Sequence, residues 1–191
     1  MKRVILTAAV MGLVGVGVAA GQAHAGTPAT APPEKSAVVV PSGPAVEVQK
    51  YYAGVKANIL KSAEKMPAES YSFKPEPDVR TYARVLNHIT EVQVKICGVV
   101  NGTAAADLIK VPAETADKTE IVEALKASFA ACDKAYATIT DANLTEMFTT
   151  GPAKRSRVGL LWQNGAHDAE QYATLALYLR LKDIAPPSSE K

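Results

Sequence analysis

Three histidines occur in the 191 residues, His24, His88 and His167, and the surroundings of the last two could support chemistry. His167 lies in NGAHDAEQY, residues 164–172. On a helix turning 100° per residue, Leu160, Asn164, His167, Gln171, Leu175 and Tyr178 fall in one stripe. His167 and Gln171 then stack one turn apart and face inward, while Glu170 points elsewhere. His88 lies beside Val85 and Val92, at the edge of another apolar stripe. An imidazole taken out of water must be hydrogen-bonded or must bind something. From the residues alone two readings stand. Inward histidines are more often satisfied core residues than ligands, and two imidazoles with one amide form a thin donor set for a transition metal.

Other chemistries find less support. His88-x-x-Glu91 and His167-x-x-Glu170 reverse the Glu-x-x-His order of carboxylate-bridged di-iron bundles. No Gly-x-Ser-x-Gly suggests a hydrolase triad, and no glycine-rich loop cradles a phosphate. Lys154, Arg155 and Arg157, in KRSR, are expected to form a solvated first helical turn. No residue is assigned a catalytic role.

Four helices are expected to position these groups. The first runs from Val46 to about Lys65, with Val48, Tyr51, Tyr52, Val55, Ile59 and Leu60 recurring at three- and four-residue steps. Pro67, Pro75 and Pro77 then impose an extended connection. The second helix is expected over about 79–100, capped by Asp78 and stopped by Asn101-Gly102. The third follows a capping-box-like start, Asp117 to Glu120, and reaches about Ile139. A turn with a short helical piece leads to Gly151-Pro152, and the fourth helix extends from about Ala153 to Lys182, before paired prolines. Nothing reads as a useful strand. Four such helices hide their apolar stripes by packing as an all-α bundle.

The ends and the charge bound the setting. Residues 1–25 have the three parts of a secretory signal: Lys2 and Arg3, an apolar run from Val4 to Ala20, and Ala23-His24-Ala25 before the cut. Export to the periplasm or medium is therefore expected, with no stable membrane anchor afterwards. Residues 26–44 read as a flexible Pro/Ala-rich leader, 45–185 as one bundle domain and 186–191 as a tail. Loss of Lys2 and Arg3 leaves 19 basic and 19 acidic side chains. A formally neutral chain without a basic stripe argues against nucleic-acid binding. Cys97 and Cys132 can pair in an oxidising compartment if their helices are neighbours, and otherwise are two buried thiols.

MPAESYSFKPEPDVRTYARVLNHITEVQ, KTEIVEALKASFAACDKAYA and GLLWQNGAHDAEQYATLALYLRLKDIAPPSSE together resemble the DinB-like family, also grouped with the YfiT-like metalloenzymes, over residues 46–190. The resemblance implies a four-helix bundle with long crossover connections. It also implies a divalent metal, zinc or nickel first, held by three histidines, of which this chain keeps His88 and His167. The third position is Gln171, which should weaken binding. Cys97 and Cys132 suit an interhelix disulfide in such a bundle. Characterised relatives are thiol-dependent transferases and isomerases of the cytoplasm, so an exported chain inherits the bundle and the site rather than that activity. A small-molecule substrate or ligand and a homodimer are further implications. The alternative is a non-catalytic bundle that binds a small ligand or a partner without metal.

Overall fold

The structure, a computed structural model, describes residues 43–190. The expected signal sequence and all but the last two leader residues lie outside these residues. Four helices make the frame: α1, Pro44–Lys65; α2, Tyr82–Asn101; α3, Lys118–Ala137; and α4, Arg157–Leu181. A short antiparallel hairpin, β1 (Met147–Thr150) and β2 (Ala153–Ser156), precedes α4. α2 packs on α3 and α4, and α1 packs on α4 and α3. The helices therefore stand in a square of order α1, α3, α2, α4, and the connections α1 to α2 and α3 to α4 cross its diagonals. These are the long crossovers expected of the bundle. No helix among the described residues is long and apolar enough to cross a membrane.

Several element ends differ from expectation for local reasons. Pro44 occupies the first turn of α1, where a missing N–H costs nothing, so the leader stops sooner than expected. α2 starts at Tyr82, because Thr81 rather than Asp78 caps it, its hydroxyl accepting the Arg84 N–H at 3.1 Å. The Tyr82 and Ala83 N–H groups donate back to the Phe73 and Tyr71 carbonyls, which ties the extended connection to the helix start. Asp117 does precede α3, but its side chain makes no cap bond. Gly102 ends α2 in the left-handed region at φ 66°, as Asn101-Gly102 suggested. Within the expected tail, Pro187–Ser189 form a short helical turn. Pro187 is buried, Tyr172 bonds Ser188, and Glu190 bridges Lys61 and Lys65.

The hairpin corrects two expectations at once. Residues 147–156 form paired strands instead of a helical piece and a first helical turn, and Gly151 at φ 60° makes the reversal. Strands of four residues show too few alternations to stand out in a sequence. Lys154 and Arg155 belong to β2. Arg157 is buried rather than solvated: its guanidinium donates to Glu146 and Thr138 and lies 4.9 Å from the Phe148 ring centre. This clamp holds the hairpin against the bundle, with β1 on α2 and β2 on α4.

Cys97 of α2 and Cys132 of α3 form a fully buried disulfide with Cα atoms 5.1 Å apart, so these neighbouring helices are covalently joined. The core around it includes Tyr82, Leu86, Ile89, Leu125, Phe129, Leu161, Leu175 and Leu179.

Candidate metal centre

His88 and His167 meet. Their Nε2 atoms are 3.2 Å apart, with the rings inclined at 74°. The adjacency of α2 and α4 places them there, each on the edge of its helix that faces the other. Both side chains keep some solvent access, 23% for His88 and 17% for His167, so an ion could reach them from outside.

Behind each ring stands a carboxylate. His88 Nδ1 is 3.4 Å from Glu91 Oε2, and Glu91 is fixed by a two-pronged Arg84 contact at 3.0 Å on each oxygen. His167 Nδ1 faces Asp168 Oδ1 at 3.6 Å, and both atoms are buried without another partner. Asp168 is fully buried, with its other oxygen accepting from Gln93 at 2.9 Å and from Asn164 at 3.1 Å. Gln93 in turn accepts from Ser128 at 2.6 Å, so α2, α3 and α4 share one polar thread.

The electrostatics follow from burial and these neighbours. Desolvation, then Arg80, holds the His88 imidazole below its ordinary pKa, although Glu91 pulls the other way. Burial alone would raise the Glu91 carboxyl, but the Arg84 hydrogen bonds prevail and lower it. Burial raises the Asp168 carboxyl, opposed by His167, Gln93 and Asn164.

A carboxylate at Nδ1 favours a proton on that nitrogen and leaves the lone pair on Nε2. Two such lone pairs 3.2 Å apart repel unless a proton or a cation lies between them. Two nitrogens bound to one tetrahedral zinc at 2.0–2.1 Å would be roughly 3.3 Å apart. The separation of the pair thus matches that of two nitrogens on one tetrahedral ion. Gln171 is 6% exposed on the same side of α4, one turn beyond His167. Among the described residues no hydrogen bond joins its amide to either ring, and no three His, Cys, Asp or Glu side chains gather as a ligand set.

The two imidazoles open onto a pocket of about 560 Å³. Val92, Ile96 and Val99 of α2 and Leu160 of α4 line it, and the hairpin turn around Gly151 closes one side. Of the three expected ligands, His88 and His167 come together and line the pocket, whereas Gln171 lies one turn away on α4 and outside its lining; Asp168, Gln93 and the supporting role of Glu91 were missed. Asp168 had a signal: it lies one turn from Asn164 and shares the spacing of Leu161, Asn164 and Leu175.

A family model described as the DinB superfamily matches residues 51–175. Among solved structures, a DinB-like protein from Bacillus cereus is similar at 16% identity and TM-score 0.57, covering 73% of this chain and 93% of that one. A conserved protein from Enterococcus faecalis follows at 13% identity and TM-score 0.57, covering 71% and 94%. A DinB-like protein from Bacillus subtilis has 15% identity and TM-score 0.56, covering 72% and 92%. At these identities the likeness establishes the fold alone. A comparison with curated proteins found no match.

Proposed function

The chain belongs to the DinB superfamily, and from that premise we propose that it is an exported metal-binding bundle in which His88 and His167 hold one divalent ion. Zinc or nickel suits imidazole donors. Gln171 serves as a weak third ligand or as a group that positions water. The observation that supports this reading is the 3.2 Å approach of two Nε2 atoms, each ring backed by a carboxylate. When bound, the ion would supply Lewis acidity toward a substrate oxygen or sulfur, as a metal-dependent hydrolase or transferase needs.

The chain's own residues divide the remaining tasks. Glu91 and Asp168 fix the tautomer and orientation of the two rings, and Gln93 and Asn164 keep Asp168 in place. Val92, Ile96, Val99 and Leu160 give the pocket an apolar lining. The buried Cys97–Cys132 disulfide supports export, since such bonds persist where thiols are not kept reduced.

Calorimetric titration of the purified protein with zinc, nickel and manganese tests the proposal. One equivalent of zinc or nickel should bind, with affinity reduced tenfold or more by His88→Ala and by His167→Ala. Absence of stoichiometric binding for all three metals ends it. A second reading, a bundle that binds a small ligand without metal, is favoured by the amide at Gln171 and by the two-imidazole donor set. Under it a chelator leaves the melting temperature unchanged and added zinc does not raise it.

A further inference from the structure

The pocket beneath the hairpin has a charge pattern that the histidine pair does not explain. Its lining carries Lys95 on α2 and Arg155 on β2, and no carboxylate lines it. Both cations are exposed, and among the described residues neither forms an ion pair or a side-chain hydrogen bond. Nearby arginines behave differently: Arg84 is engaged by Glu91, and Arg157 by Glu146. Two cations without a carboxylate partner, from separate elements, therefore line one cavity whose apolar residues are Val92, Ile96, Val99 and Leu160. A volume of about 560 Å³ is that of a small-molecule site, and an apolar wall with a few polar groups at its edge is the usual composition of one.

We infer that this pocket takes an amphipathic organic anion, its apolar body on the valine and leucine floor and its carboxylate or phosphate head held by Lys95 and Arg155. The guanidinium suits a bidentate contact to either head, and the ammonium adds a second charge from α2. The remainder of the ligand lies toward His88 and His167, so the inference deepens the metal-site reading by naming its substrate class. It rests on that reading only for the ligand's reaction, not for its binding.

The test uses the full chain treated with chelator, titrated with octanoate, octyl phosphate and octylamine by calorimetry. Octanoate or octyl phosphate, or both, should bind at least tenfold more tightly than octylamine, and the tighter of the two names the head group. Lys95→Gln with Arg155→Gln should weaken anion binding at least tenfold, leave the melting temperature within experimental error and leave zinc affinity undiminished. Equal binding of octylamine, failure of both anions to bind, or undiminished binding by the double variant overturns the inference. Because zinc is titrated separately, the two ideas fail independently. Anion binding without zinc binding removes only the metal, and zinc binding without anion binding removes only the anion.

Discussion

The Cys97–Cys132 bridge permits a worked perturbation. It spans 35 residues of sequence and joins α2 to α3 at a point where both side chains are fully buried. On the chain-entropy account, opening a loop of that length frees the unfolded ensemble by about 4 kcal/mol at 25 °C. For a domain of this size that corresponds to a fall in melting temperature of roughly 8–16 °C. Cys97→Ala with Cys132→Ala should lose somewhat more, because removing two buried sulfur atoms also leaves unfilled space. Thermal unfolding of the parent protein with and without reductant, beside the double variant, separates the two contributions. The reductant shift reports the loop alone, and the excess in the variant reports the packing. Peptide mapping must show the 97–132 link in the oxidised sample and its loss in the reduced one. A link that opens with a shift below about 2 °C would refute the reasoning, since the unfolded chain would then be no freer than before.

Three other perturbations have definite outcomes. Asp168→Ala leaves the buried Gln93 and Asn164 amides without their shared acceptor, so urea unfolding should show a loss of roughly 2–4 kcal/mol; an unchanged midpoint would mean the thread is dispensable. Gln171→His restores a third imidazole, and zinc affinity by competition with a chromophoric chelator should rise roughly tenfold or more; unchanged affinity would place position 171 outside the coordination shell. Hydrogen bonds from Lys61 and Lys65 lower the Glu190 carboxyl to about 2. The folded chain there binds fewer protons than an unfolded carboxyl of pKa ~4.3, so the contribution is whole above that value and is lost as pH falls through about 2. Backbone NMR signals of Pro187–Ser189 should hold their positions to about pH 3 and shift below it. A midpoint near 4.3 would show that the bridge is absent in solution.

The bundle was legible because its helices advertise themselves: α1, α2 and α3 have apolar residues at three- and four-residue steps, and Gly102 marks a stop. The disulfide became legible only with the fold, since pairing depended on α2 and α3 being neighbours. The hairpin was not legible. MFTT and AKRS hold four residues each, and what orders them is a clamp at the base of the hairpin, the Arg157 contacts to Glu146 and Thr138, which periodicity does not register. At the site, single-helix periodicity brought out His88 and His167, but it could not show that they meet, which depends on how α2 and α4 pack. Val92 and Val99 are half-buried, packing against the core while lining the pocket, and the buried face of α2 also carries Asn87, Thr90 and Gln93. Gln93 was not singled out, and Asp168 had only its spacing as a signal, because polar residues are mostly exposed and composition does not reveal a buried hydrogen-bond network.

The imidazoles themselves provide the decisive measurement: nitrogen-15 spectra of the histidine side chains recorded as zinc is added. His88 and His167 should both carry their proton on Nδ1, and both Nε2 resonances should move together and saturate at one equivalent of zinc. Response of one ring alone, or of neither, would contradict a shared ion between α2 and α4.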